Sequence, residues 1–159
     1  MIHKLDKIDL AILKELQKDG KLTNIELSKR VGISAPPCLR RVKNLEEEGF
    51  IKSYHAHLNH MNLGFSVSIF CEIGLNSQNE MDLREFESIV KEWPLVRECH
   101  LITGGYDFLL KVIAKNFDDY QHFLSTKLGN LPNVNHIKTR MIVRSSKQDP
   151  GVPIELVNK

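Results

Sequence analysis

The stretch SAPPCLRRVKNLEEEGF, from Ser34 to Phe50, decides how the first part of this chain is interpreted. Its apolar residues recur at helix spacing, yet it opens with two adjacent prolines and carries two consecutive arginines. The first turn of a helix has backbone amides without intrahelical partners, so Pro36 and Pro37 forfeit no hydrogen bonds there and make the start stiff. The stretch therefore predicts a helix that begins at the prolines and ends at Gly49.

Apolar and cationic side chains separate on this helix when it is drawn at about 100° per residue. The apolar side contains Cys38, Leu39, Val42 and Leu45. Arg40 and Asn44 point the other way, with Arg41 and Lys43 on the flanks. We expect the apolar side to pack on two preceding helices, and the cationic side is narrow enough to enter a DNA major groove. The alternative is a solvated face whose cations are balanced by the glutamates at 46–48.

Ser34 stands where the N-cap of this helix would be. Its usual hydrogen-bond donors would be the amides of residues 36 and 37, which are prolines and have no N–H. Either the Ser34 hydroxyl is free for a phosphate, or the helix begins later. The candidate DNA contacts are Ser34, Pro36, Pro37, Arg40, Arg41, Lys43 and Asn44.

Two shorter helices precede this one. Asp6 is the predicted N-cap of the first, and Thr23 with Glu26 forms a capping-box pattern for the second, which ends at Gly32. Three short helices with a glycine turn before the third are typical of a helix-turn-helix. Residues 50–58 alternate weakly between apolar and polar types and predict one or two short strands.

After residue 59 the hydrophobic period becomes that of strands. SVSIFCEIG alternates apolar and polar residues, and two further strands, VRECHLIT and DFLLKVIA, are separated by a GGY turn. A helix near 81–93 follows the first strand, a helix capped by Asn116 follows the third, and VNHIKTRMIV is the last strand. The order β-α-β-β-α-β predicts a ferredoxin-like domain, so the chain is expected to be an α+β protein. Cys71 and Cys99 are expected on neighbouring strands.

Composition narrows the classes of function. The 159 residues are 42% hydrophobic and 26% charged, and they contain neither a span of ~20 apolar residues nor a signal-peptide core. Together with three dispersed cysteines, this favours a soluble cytoplasmic protein with no membrane partner. Residues 1–58 carry 11 Lys and Arg against 8 Asp and Glu, a net charge of +3, whereas residues 59–159 carry 11 against 12, a net charge of −1. An anionic partner is therefore expected at the first part.

Three stretches together resemble the Lrp/AsnC family of prokaryotic transcriptional regulators, named for the leucine-responsive and asparagine regulators. They are LDKIDLAILKELQKDGKLTNIELSKRVGIS, CLRRVKNLEEEGFIKSY and TGGYDFLLKV. The resemblance implies a winged helix-turn-helix at 1–58, a linker at 59–65, a ferredoxin-like βαββαβ (RAM) domain at 66–145 and a tail at 146–159. The recognition helix would run from Pro36 to Glu48. Members dimerise through the sheets, commonly assemble into tetramers or octamers, and bind small effectors, usually amino acids, between dimers.

The same resemblance implies an effector-binding loop. Its residues and neighbours would be Leu101, Thr103, Gly104, Gly105, Tyr106, Asp107, Met141 and Ile142. On physical grounds, the glycines free backbone amides for a carboxylate, Asp107 offers an anion for an α-ammonium group, and aliphatic neighbours would select an apolar amino acid such as leucine. The alternative is a hairpin turn in which the glycines adopt positive φ and Asp107 caps a strand end.

Three functions remain open from the sequence. The first is a DNA-binding transcriptional regulator modulated by an effector, the second an effector-independent architectural DNA-binding protein, and the third a metabolic enzyme. No phosphate loop, nucleophile motif or paired acid and base is recognisable, so no catalytic residue and no cofactor is predicted. His55, His57 and His60 have H-x-H-x-x-H spacing, but only the first two share a strand face, so no metal site is predicted.

Overall fold

A computed structural model describes residues 5–149 and 151–157. The chain divides into two compact units, one containing residues up to His57 together with those from Lys147 onward, and the other spanning Leu58–Ser146. The segment expected to be a separate linker, 59–65, therefore belongs to the second unit. The segment expected to be a tail, 146–159, returns almost entirely to the first unit.

Three helices form the first unit: α1 (Lys7–Lys18), α2 (Asn24–Val31) and α3 (Ala35–Glu47). Their shared core is made by Ile12, Leu27, Cys38 and Leu45, each nearly inaccessible to solvent. This is the three-helix arrangement that the apolar periodicity predicted.

Local hydrogen bonds explain where the first two helices begin. Asp6 caps α1 and accepts hydrogen bonds from the backbone N–H groups of Ile8 and Asp9, while the Asp9 side chain accepts one from the Asp6 N–H. Thr23 and Glu26 form the predicted capping box of α2. Capping of this kind satisfies amides that would otherwise lack partners, so both predicted helix starts are confirmed.

The strands predicted after α3 are absent. Residues 50–58, all of them described, form no strand. A strand requires a neighbouring strand to receive its backbone hydrogen bonds, and the described residues of the first unit contain none. Weak alternation alone was therefore misleading.

The second unit has the predicted β-α-β-β-α-β order. Its elements are β1 (Val67–Leu75), α4 (Glu80–Lys91), β2 (Val96–Leu101), β3 (Phe108–Ala114), α5 (Phe117–Thr126) and β4 (Val134–Met141). The strands form one antiparallel sheet in the order β2-β3-β1-β4, which places β2 and β4 at opposite edges. The prediction that Cys71 and Cys99 lie on neighbouring strands is wrong, because β3 lies between their strands and its Leu110 pairs with both.

One face of this sheet carries the core. Every second residue of β1 and β3 is buried on that face, together with Phe86 and Val90 of α4 and Tyr120 and Phe123 of α5. The other face carries no helix of the second unit, and its central side chains, Phe70, Leu109 and Ile113, are only half-buried. The sheet is thus covered on one side by its own helices.

The segment 151–157 packs on α1 within the first unit. The Gln17 side chain donates to the Val152 carbonyl and accepts from the Val152 N–H, both at 2.9 Å. Ile154 is buried, and Lys14 pairs with Glu155 at 2.9 Å. From the sequence, this segment was predicted to be part of a polar tail, because polar residues precede it. Within the part of the chain that the structure describes, no helix is long and apolar enough to cross a membrane.

Candidate DNA-binding surface and ligand-binding loop

The start of α3 follows the first of the two expectations for Ser34. Ser34 is the N-cap, α3 begins at Ala35, and the Ser34 side chain makes no capping hydrogen bond with the described residues. The Asn24 side-chain amide instead donates to the Ala35 carbonyl at 2.8 Å, which ties the beginning of α2 to the beginning of α3. Ser34 is exposed, and its contact with a phosphate stays a prediction.

Most of the candidate DNA contacts lie on the outside of α3. Pro37 and Arg41 are half-buried, and the exposed ones are Ser34, Pro36, Arg40, Lys43 and Asn44. Buried Cys38 and Leu45 hold the opposite side of the helix against α1 and α2. The structure therefore brings the exposed set together on one surface, with Arg40 and Lys43 as its cations.

Arg41 has a different position from the other candidates. Its Nη1 donates to Asp6 Oδ2 and to Asp9 Oδ1, both at 2.7 Å. The Asp9 N–H and the Arg41 guanidinium hold the pKa of the Asp6 carboxyl below its usual range. The guanidinium thus links α3 to the capped start of α1, a contact across 35 residues that helix periodicity cannot show.

Leu39 was expected in the core, and this is wrong. Its side chain is 45% exposed and does not join the described core cluster. The inward positions of α3 are Cys38, Val42 and Leu45, which are spaced by four and three residues and so form one stripe. Leu39 lies one position beyond that stripe, on the cationic side.

The glycine loop between β2 and β3 is tied to the end of β1 by Asp107. The Asp107 N–H donates to the Ile73 carbonyl, and the Asp107 carbonyl accepts from Ile102, each at 2.8 Å. The Asp107 carboxylate accepts from the Leu75 N–H at 2.7 Å, beside a bulge at Gly74 and Leu75. This is the strand-end capping role that the sequence analysis held open as the alternative.

The remainder of the loop is open to solvent. Thr103, Gly104 and Gly105 are exposed, and Gly104 has φ of 122°, which side chains larger than glycine rarely adopt. Apart from its chain neighbours, no described atom lies within 4 Å of the Cβ position of Gly105, so this side of the loop is open.

Two residues near the loop were missed from the sequence. The Lys138 ammonium lies 5.9 Å from the centre of the Tyr106 ring, and His136 of β4 pairs with Gly74 of β1. The sequence pattern that could have identified them lies in β4. His136, Lys138 and Arg140 are spaced by two residues there and so share one face of the sheet. Arg140 pairs with Glu72 at 2.7 Å on the same face.

Leu101 and Met141, both expected near the effector-binding loop, lie far apart within one chain. The row of paired residues through Leu101 continues to Phe108, Ile73 and finally Ile137. Met141 lies four residues beyond Ile137 on the far edge strand, so the two side chains are separated by roughly 20 Å along and across the sheet. Leu101 is 56% exposed and Met141 49% exposed, each at its own corner.

Neither histidines nor cysteines assemble a metal site in residues 5–149 and 151–157. His60 Nδ1 is 2.7 Å from the Phe65 carbonyl oxygen, and His55 and His57 are exposed. Burial raises the pKa of the Cys38 and Cys71 thiols, which suits packing rather than reactivity.

Comparison with known proteins agrees with this geometry. Residues 5–52 match a winged helix-turn-helix DNA-binding family model, and residues 68–152 match the Lrp/AsnC ligand-binding domain. A leucine-responsive regulatory protein of Rhizobium meliloti is 46% identical over 94% of this chain and 96% of its own length. That of Escherichia coli K12 is 44% identical over 95% and 92%, respectively.

A solved relative has the same architecture. The structure of a Neisseria meningitidis transcriptional regulator in complex with L-methionine superimposes with a TM-score of 0.90, at 34% identity, and covers 95% of this chain and 97% of that one. The relatives named here are regulators rather than enzymes, which removes the enzyme alternative. The helix-turn-helix, the ferredoxin-like sheet and these similarities lead to one conclusion: the chain belongs to the Lrp/AsnC family of DNA-binding transcriptional regulators.

Proposed function

We propose that this regulator binds specific DNA sites through the exposed face of α3 and that a small amino acid modulates its DNA binding or its assembly. The observation that supports this proposal is that the cations of α3 have different surroundings. Arg41 is engaged by two carboxylates, whereas Arg40 and Lys43 are exposed on the outer side. Ser34, Pro36, Pro37 and Asn44 complete the proposed contact surface, and DNA contact by Arg41 stays a prediction.

Amino-acid binding is supported by the open glycine loop and by the relative solved with L-methionine. We take leucine or another apolar amino acid as the first candidate effector. The backbone amides of residues 103–105 are suited to a carboxylate. Asp107 uses one carboxylate oxygen for Leu75, so an α-ammonium group would have to bind the other.

Assembly into a homo-oligomer follows from the same sheet. Its open face presents Phe70, Leu109 and Ile113, ringed by the ion pairs Glu72–Arg140 and Glu98–Lys111. Covering this face with a second copy would bury its apolar centre. Because Leu101 and Met141 lie at opposite corners, an effector site that uses both would need residues from more than one chain. A dimer would present two copies of α3 to half-sites about 34 Å or a multiple apart. Tetramers or octamers are the larger assemblies we propose, in the cytoplasm.

The DNA surface is tested by measuring affinity against salt concentration for Arg40→Ala and Lys43→Ala. Each phosphate contact that is lost should flatten the slope of log K against log salt by about one unit, whereas a lost base contact should relax sequence preference. Arg84→Ala, an exposed cation of α4, is the matched control and should change neither quantity. Unchanged affinity in both α3 variants would contradict the proposal.

The effector is tested by thermal unfolding of the full chain with each of the twenty amino acids. A ligand at 100 times its Kd should stabilise the protein by about 2.7 kcal/mol. A selective shift supports sensing, and no shift favours the architectural alternative. Competition with random DNA separates the two further, because a specific binder should prefer its site by roughly a thousandfold or more.

A further inference from the structure

Leu39 is an apolar side chain on the wrong side of its helix for packing. Cys38 and Leu45 are buried, and Val42 packs against the core, whereas Leu39 is 45% exposed and does not join the described core cluster. Apart from Pro36, the other exposed residues of α3 are charged or polar. A large apolar group placed on that surface adds nothing to the core of the free protein.

The neighbours of Leu39 identify the surface it belongs to. At about 100° per residue, Lys43 lies roughly 40° and Pro36 roughly 60° from Leu39 around the helix axis. Both are exposed, and Arg40 follows on the same side. Leu39 therefore lies within the set of residues proposed to face DNA, between the stiff first turn and the cations.

We infer that Leu39 contacts the C5-methyl group of a thymine in the major groove. The protein would therefore bind DNA more tightly when thymine stands at that one position of each half-site. This inference rests on the proposed function, and it names one base that the exposed face of α3 recognises. The thymine methyl is the apolar feature that base edges present in the major groove, and leucine has no donor or acceptor with which to read any other. Cytosine carries only a hydrogen at C5, so the leucine would lose this contact, and it could not accept from the N4 amino group that stands in place of the thymine O4.

Leu39 would interact with DNA in a different way from the neighbouring cations Arg40 and Lys43. Arg40 and Lys43 bring the helix to the phosphates by charge, which any sequence provides. Leu39 gains only where a methyl group meets it. The helix thus combines sequence-independent attraction with one apolar discriminator.

The test uses the full-length protein and a duplex site selected from random DNA. Each thymine is replaced in turn by deoxyuridine, which pairs identically but lacks the methyl group. We expect wild-type affinity to fall about fourfold at one thymine per half-site, the amount expected for one buried carbon. Leu39→Ala should bind more weakly and should lose sensitivity to uracil at that position alone.

Two controls accompany the scan. Leu39→Met keeps an apolar contact and should keep the uracil sensitivity, and Met81→Ala, which removes a 74%-exposed apolar side chain of the second unit, should leave the scan unchanged. Thermal unfolding checks that Leu39→Ala is folded, which is expected because the side chain is outside the core.

Different failures have different meanings. Selective binding with a flat uracil scan, or equal uracil losses in wild type and Leu39→Ala, would overturn the role of Leu39 and leave the proposed function standing. Failure to bind DNA, or to select any sequence, would overturn both. An unchanged scan with an altered oligomeric state in Leu39→Ala would assign the residue to a protein contact and overturn the inference.

Discussion

The guanidinium of Arg41 donates a 2.7 Å hydrogen bond to the carboxylate of Asp9, a side chain that is only 4% exposed. The Asp9 side chain also accepts a hydrogen bond from the Asp6 backbone N–H, so the start of α1 and the middle of α3 share one polar cluster. The recognition helix is therefore oriented by its own unit before any DNA is present.

Removing this link should destabilise the first unit. Arg41→Ala is expected to lower the free energy of unfolding by about 1–3 kcal/mol, less than for a fully buried pair because Arg41 is partly exposed. Arg40→Ala, an exposed neighbour, should cost less than about 0.5 kcal/mol. Urea denaturation measures both, and equal losses in the two variants would show that the contact with Asp9 contributes nothing.

Acid should weaken the same cluster. The Asp9 amide and Arg41 lower the pKa of Asp6 in the folded protein, so its contribution is complete above the ordinary aspartate pKa of about 3.9 and is lost as pH falls below it. Stability measured at constant ionic strength should therefore decline as the pH falls below about 4. Asp6→Asn should be less stable at pH 7 and should show a shallower decline. An identical pH dependence in both proteins would contradict this sign.

Gly151 should be needed for docking of the C-terminal segment. Its φ is 90°, and a Cβ at this position would collide with the Gln17 side chain that holds Val152. Gly151→Ala should therefore release the segment, at a cost of roughly 1–3 kcal/mol from backbone strain and two lost hydrogen bonds. Hydrogen exchange of the Val152 amide is the readout, and exchange should become faster.

A second glycine provides the control for this experiment. Gly105→Ala introduces the same methyl group where, apart from its chain neighbours, no described atom lies within 4 Å and where φ is not positive. It should leave Val152 exchange unchanged. Protection of Val152 that survives Gly151→Ala would mean that Gln17 does not hold the segment.

Asp107 offers a way to separate loop structure from effector binding. Asp107→Ala removes the acceptor for the Leu75 N–H and should cost about 1–2 kcal/mol, whereas Asp107→Asn keeps an oxygen acceptor and should cost less. If the carboxylate charge also holds an α-ammonium group, Asp107→Asn should bind the effector at least roughly tenfold more weakly. Calorimetry and thermal unfolding measure the two effects. Wild-type effector affinity in Asp107→Asn would leave Asp107 with the hairpin role alone.

Local patterns predicted the secondary structure well where the stabilising contacts lie within one helical turn or alternate along one strand. The caps of α1 and α2 join residues three positions apart, and the buried positions of β1, Ile69, Cys71 and Ile73, are two apart. Such contacts can be predicted from the sequence because the periods of the helix and the strand bring those residues to the same face in any fold.

The prediction of strands at 50–58 was wrong because a strand needs a neighbouring strand to pair with, and the alternation of apolar and polar residues does not show whether one is present. The position of Leu39 relative to the core was missed because a helix wheel gives angles but not the direction from which the other helices approach.

By itself, the sequence determined three capped or glycine-bounded helices followed by a β-α-β-β-α-β unit, and a cationic third helix suited to DNA. Only the tertiary structure decided that Arg41 pairs with Asp9, that the segment 151–157 returns to α1, and that Leu101 and Met141 lie at opposite corners of the sheet. The physical reason is distance along the chain. These relationships hold between residues that are tens of positions apart, and whether such residues meet or lie apart follows from strand order and helix packing rather than from any local period.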